Sequence, residues 1–130
     1  MVRDEVITVS KLKERLEDYT AFLIFSRSNE SEAEWLRKIN SAIKIAEEVE
    51  KVLRSHGFKG EVVVSEVVSR IRETWKVKWK EARSGRRRPT SIRKIIELEG
   101  NQALFMLVPK CWKNLAAEVL KFVGGEMYGI

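Results

Sequence analysis

Val6 to Val9 alternate weakly with polar residues, which predicts a short strand. Ser10 then reads as an N-cap, because Leu12 and Leu16 fall at helical spacing within Lys11 to Asp18. The longest apolar run, Ala21-Phe22-Leu23-Ile24-Phe25, either continues that helix or starts a buried strand. Periodicity alone does not separate the two in so short a run. The clearest pattern follows a loop, Ser28-Asn29-Glu30-Ser31. Ser31 with Glu34 matches a capping box. Leu36, Ile39, Ile43, Ala46, Val49 (or Glu50) and Leu53 then keep one apolar face, widened by Ala42 and Val52. Lys44, Glu47, Glu48, Glu50 and Lys51 cover the other, so a long amphipathic helix runs to a stop at His56-Gly57.

After the Lys59-Gly60 turn, Glu61 to Val64 form a short strand or Ser65 caps a helix directly. Val64, Val67, Val68, Ile71, Trp75, Trp79 and Ala82 recur at helical spacing, and we read 66–83 as a second long helix. A strand is the alternative, with Trp75, Val77 and Trp79 alternating against Lys76, Lys78 and Lys80. Ser84 to Thr90 is a break containing Gly85, three arginines and Pro89. Ile92–Leu98 and Ala103–Val108 flank a turn with Gly100-Asn101, which predicts a hairpin over 92–108. A short helix capped by Thr90 or Ser91 is the other reading of Ile92–Leu98. Trp112, Leu115, Ala116, Val119, Leu120 and Val123 make a last amphipathic helix, stopped by Gly124-Gly125. The expected fold is α+β: three to four helices, two of them long, on a small antiparallel sheet containing the 92–108 hairpin.

Length adds one point: 130 residues suit one domain, 1–130, with its own core. No apolar run approaches the ~18 residues of a membrane helix. MVRDEVITV has no apolar signal core, and the single cysteine fits a reducing cytosol, so a cytoplasmic protein without membrane contact is expected. Abundant Glu, Lys and Arg with one glutamine suggest a hyperthermophilic source.

Charge changes the picture more. Residues 69–94 hold eleven basic groups and two acids, a surplus of nine in a chain whose net charge is +6, so everything else sums to −3. A basic segment on a mildly acidic body is the footprint of a polyanion binder.

Candidate catalytic chemistry is sparse. His56 is the only histidine and sits where a helix-ending cap belongs. Cys111 reads as a small buried hydrophobe at the start of the last helix. Glu97 and Glu99 lack the convergent carboxylates that two-metal chemistry needs, and there is no glycine-rich phosphate loop. We therefore expect no enzyme, no metal and no cofactor.

The basic segment is TWKVKWKEARSGRRRPTS, residues 74–91. In the helical reading Trp75 and Trp79 lie on the core-facing stripe with Ile71 and Ala82, while Lys76, Lys80 and Arg83 line the wet face. Arg86, Arg87 and Arg88 have no acid near them between Arg83 and Arg93, and a loop so loaded calls for a polyanion. The nucleic-acid contacts expected are Arg83, Arg86, Arg87, Arg88, Arg93, Lys76, Lys78 and Lys80 on phosphates. Trp75 and Trp79 are expected to stack on bases, with Phe105, Trp112 and Tyr128 as further stacking candidates. Single strands, DNA or RNA, are the favoured partner.

Interleaved Trp and Arg (TWKVKW, then GRRRP) in a small one-cysteine chain resembles, across residues 30–123, the ThermoDBP-type single-stranded DNA-binding proteins of archaea. The resemblance implies binding in a hydrophobic, basic-rimmed cleft rather than on an OB-fold, and transfers no residue role. The rival readings are a winged-helix-like regulator of double-stranded DNA, and an assembly subunit, cellular or viral, with Trp35 and Trp79 as interface anchors. A homodimer is compatible with each.

Overall fold

The computed structural model describes residues 2–81 and 87–124, with the backbone alone over 73–81, 87–95 and at 124. The chain is α+β. In order come β1 (Arg3–Thr8), α1 (Val9–Arg15), β2 (Tyr19–Ser26), α2 (Glu32–Ser55), β3 (Val63–Val68), β4 (Arg70–Glu81), β5 (Arg87–Glu99), β6 (Ala103–Pro109), a 3-10 turn at Lys110–Trp112 and α3 (Lys113–Gly124). Four strands form one mixed sheet in the order β1-β3-β6-β2, with β1 parallel to β3 and the other neighbours antiparallel. β4 and β5 pair antiparallel as a separate two-stranded ribbon.

The long helix forms where its pattern predicts. Ser31 Oγ accepts the Glu34 N–H at 3.2 Å, and two acids in the first turn suit the helix dipole. A ring nitrogen of His56 lies 2.9 Å from the Val52 carbonyl, and Gly57 takes φ +98° just past the helix end. Ala42, Ala46, Val49 and Leu53 of α2 are buried against Val62, Val64, Leu104, Met106 and Val108, with Ala116 and Val119 of α3 in the same core. The opposite face of the sheet buries a smaller apolar group, Ile7, Val63, Val67 and Leu107. β3 is thus buried on both faces.

Three expectations are corrected. The helix over 66–83 is instead the end of β3 and the whole of β4, with 82 and 83 outside the described residues. A strand buried on both faces reads as a continuous apolar run, and Val64, Val67, Val68 and Ile71 of that run imitate a helical stripe. The 92–108 hairpin does not form: β5 pairs with β4, while β6 pairs with β2 and β3. The sheet is mixed rather than antiparallel, because β1 joins β3 in parallel. At a finer level, Tyr19–Ser26 is a strand, and Thr8 rather than Ser10 caps α1, its Oγ1 accepting the Lys11 N–H at 3.3 Å.

Candidate nucleic-acid interface

The basic segment folds as a long bent hairpin. β3 leads into β4 and β5 returns into β6, so the chain that pairs inside the sheet also pairs beyond it. Between the pairs Val67↔Ala103 and Arg70↔Glu99 stand two residues on the outgoing limb and three on the return, Gly100, Asn101 and Gln102. The extra residue is a bulge, which bends a ribbon away from its sheet. Gly100 makes that bend, with φ +89°, and a Cβ there would lie 2.4 Å from Ser69 Cβ. Gln102 pins the return limb. It accepts from Arg27 Nη1 through Oε1 at 2.6 Å and donates through Nε2 to Glu66 Oε2 at 3.2 Å. Beyond this root the ribbon has 12 and 13 residues per strand, a length of about 40 Å.

Register fixes which basic residues meet. Lys76 stands opposite Arg93, Lys78 opposite Ser91 and Lys80 opposite Arg88. Trp75 stands opposite Lys94, Val77 opposite Ile92 and Trp79 opposite Pro89, where the pairing shifts by one residue. Proline, lacking an N–H, belongs at such a bulge. A strand sends successive residues to opposite faces, so its period of two divides the ribbon into two rows. One row holds Arg70, Arg72, Thr74, Lys76, Lys78 and Lys80 with Glu99, Glu97, Ile95, Arg93, Ser91 and Arg88: seven bases, two acids. The other holds Ile71, Glu73, Trp75, Val77, Trp79 and Glu81 with Leu98, Ile96, Lys94, Ile92, Pro89 and Arg87: two bases, two acids and most of the ribbon's apolar residues.

Among the described residues, charge on the ribbon is compensated at the root. Arg72 Nε lies 3.1 Å from Glu99 Oε1, and Arg70 Nε 4.0 Å from Glu99 Oε2. From 74 to 95 nine bases accompany a single acid, Glu81. Like charges directly opposite on a strand pair are destabilising, and the chain places them so at Lys76↔Arg93 and Lys80↔Arg88.

Of the expected contacts, Lys76, Lys78, Lys80, Arg88 and Arg93 therefore share one row, Arg87 lies on the other, and Trp75 and Trp79 are separated from the lysines. The lysines were expected on a helix and lie on a strand. Arg83 and Arg86 fall outside the described residues, as does Tyr128. Trp112 packs edge-on against Phe58 at 5.4 Å, and Phe105 is half-buried on β6, opposite Leu23 and Ser65. Trp35, named as an interface anchor, is 2% exposed and donates its indole N–H to Glu66 Oε1 at 3.0 Å. Cys111, expected to be buried, is exposed. Sequence reasoning missed Arg70 and Arg72, whose alternation with Ile71 was the available signal.

Two carboxyls elsewhere are shifted. Glu30 is lowered to about 2, first by its hydrogen bond from Lys38 and then by the Ser28 N–H. Burial pushes the Glu50 carboxyl up, but hydrogen bonds led by the Val62 N–H outweigh it and the net shift is downward. A small pocket beside β1 is lined by Asp4, Glu5, Val6, Ile39, Val64, Glu66 and Leu104, and Glu66 is already engaged by Trp35 and Gln102. Among the described residues no helix is long and apolar enough to cross a membrane.

Compared with protein-family models, curated proteins and solved structures, the chain matches none.

Proposed function

We propose that this is a cytoplasmic nucleic-acid-binding protein whose contact element is the β4–β5 ribbon. One observation carries the reading: register sets Lys76 opposite Arg93 and Lys80 opposite Arg88 on a ribbon row with five surplus positive charges. Folding alone gives no reason to concentrate like charges there, whereas a phosphate backbone neutralises them and releases its counterions. Alternate residues of a strand are about 6.8 Å apart, so Lys76, Lys78 and Lys80 form an extended cationic rail. The major groove of a duplex admits a two-stranded ribbon, and a single strand can lie along the same rail.

Single-strand binding with base stacking is the second reading, favoured by Trp75 and Trp79 on one row about 13 Å apart. It would use the row opposite to the lysines, together with Lys94.

The test is salt-dependent binding of a labelled oligothymidylate and of a labelled duplex by the full chain. Changing Lys76, Lys78 and Lys80 to alanine together should lower the slope of log affinity against log salt by about 2–3. Unchanged affinity and slope for both probes would sink the proposal. Stacking is recognised by quenching of tryptophan fluorescence that disappears when Trp75 and Trp79 become phenylalanine.

A further inference from the structure

Four side chains close a ring where the ribbon leaves the sheet. Arg27 Nη1 donates to Gln102 Oε1 at 2.6 Å, and Gln102 Nε2 donates to Glu66 Oε2 at 3.2 Å. Trp35 Nε1 donates to the other oxygen, Glu66 Oε1, at 3.0 Å. The ring closes through space, because the Arg27 guanidinium carbon lies 5.7 Å from the centre of the Trp35 ring. Each member comes from a different segment. Arg27 follows β2, Trp35 is in the first turn of α2, Glu66 is on β3 and Gln102 stands just before β6. Glu66 and Gln102 therefore sit on the two limbs that run out into the ribbon. The Gln102 amide has one workable orientation between its neighbours, oxygen toward the guanidinium and nitrogen toward the carboxylate. It links a cation to a buried anion.

Arg27 is a basic residue near a basic ribbon, yet it is not placed to hold phosphate. Its side chain is 17% exposed. Its guanidinium already makes four hydrogen bonds: one to Gln102 Oε1, two to the Glu30 carbonyl and one to Glu32 Oε1. Glu30 and Glu32 tie it to the start of α2.

We propose that this ring sets the angle at which the ribbon leaves the body, and that Arg27 and Gln102 are positioning residues for nucleic-acid binding. The residues outside 69–94 sum to −3, and three acids, Glu30, Glu32 and Glu34, stand at the start of α2 where the ring is anchored. A ribbon free to swing brings its positive surplus within reach of those acids, which then compete with phosphate. A fixed exit denies them that contact. The binding half of this inference rests on the nucleic-acid reading above; the clamp on the ribbon does not.

Gln102→Met breaks the ring without changing the charge, and Arg27→Met breaks it with the loss of one positive charge. Hydrogen exchange of the full chain without nucleic acid reads the clamp. The Arg27 backbone N–H donates to the Gln102 carbonyl at 2.8 Å. In Gln102→Met this amide should exchange on the order of tenfold faster, while the amides of Val49 and Leu53 inside α2 keep their rates. Affinity for the labelled oligothymidylate and duplex should fall about two- to thirtyfold in both variants, with the salt slope unchanged. If Gln102→Met does not fold, Gln102→Asn, too short to reach both partners, replaces it. Unchanged exchange at Arg27 would overturn the clamp. Faster exchange with unchanged affinity would overturn the positioning role. An affinity loss confined to Arg27→Met, with a slope lower by about 0.7–0.9, would make Arg27 a phosphate contact and overturn that role too. An unmodified protein that binds neither probe would refute the nucleic-acid reading, and with it the positioning role, and leave the clamp standing on its exchange result.

Discussion

The indole N–H of Trp35 donates to Glu66 Oε1 at 3.0 Å inside the protein, where Trp35 is 2% and Glu66 7% exposed. The bond joins α2 to β3, and the other Glu66 oxygen accepts from Gln102, next to the root of the ribbon. One carboxylate thus ties the helix, the sheet and the ribbon's return limb. Removing it leaves one buried donor, the Trp35 indole, and one half-buried donor, the Gln102 amide, without an acceptor. Glu66→Leu should therefore cost about 1–3 kcal/mol of stability, whereas Glu66→Gln, which keeps one acceptor for Trp35, should cost less. Chemical denaturation of the two variants checks this, and equal losses would mean that the hydrogen bonds contribute nothing beyond packing.

Gly100 and Ser69 cross where the ribbon leaves the sheet. Gly100→Ala meets two obstacles: a φ of +89°, and Ser69 Cβ only 2.4 Å from the new methyl. We expect a loss of about 1–3 kcal/mol. Ser69→Gly in the same chain removes the collision but leaves the backbone strain, so the double variant should recover only part of the loss. Full recovery would show that φ at this position costs nothing.

The two halves of the chain differ in how legible they are. What ends α2 and most of what it buries is local: Ser31 with Glu34, the apolar face from Ile39 to Leu53, and His56-Gly57 all lie within the helix or two residues of its ends, although Leu36, expected on that face, is 58% exposed. The ribbon is non-local. Whether Trp75 belongs to a helix or a strand depends on Lys94 across the pair, which no window around Trp75 contains. Gly100-Asn101 looked like a hairpin turn because it separates two β-rich runs. It is a bend instead, since β5 already has a partner in β4 and β6 has two in β2 and β3. The charge surplus of 69–94 was readable from composition, but its sorting onto one row needed the register.

Glu30 makes stability depend on pH in a defined window. Its carboxyl lies at about 2 in the fold, held down by Lys38, against an ordinary value near 4.5. A lowered acid contributes stability that is present above the unfolded value and lost as pH falls through the folded one. The stability difference between the unmodified protein and Glu30→Gln should thus be constant above about pH 5 and shrink between about pH 4.5 and 2. Denaturation at a series of pH values reads it directly. A difference that does not change with pH would mean that the Lys38 pair holds no charge-dependent energy.

Glu99 is the acid that restrains the root of the cationic row, touching both Arg72 and Arg70. These ion pairs are partly exposed, Arg72 49% and Glu99 35%, so their net contribution to stability is at most about 1 kcal/mol. Their effect on binding should be larger. Glu99→Gln removes a negative charge from the row and frees two guanidinium groups, each able to hold a phosphate in its planar fork. If the row is the nucleic-acid surface, the variant should bind oligonucleotides more tightly at low salt, with a slope steeper by about 0.7–0.9 for each phosphate gained. The two affinities should converge as salt rises, because screening removes the added attraction. Titration of the same labelled oligonucleotide at several salt concentrations measures both effects. An unchanged low-salt affinity would place the contact toward the tip of the ribbon, beyond Arg72. A weaker one would mean that Glu99 positions the row, because loss of the Arg72 pair would then disturb the lysines it precedes.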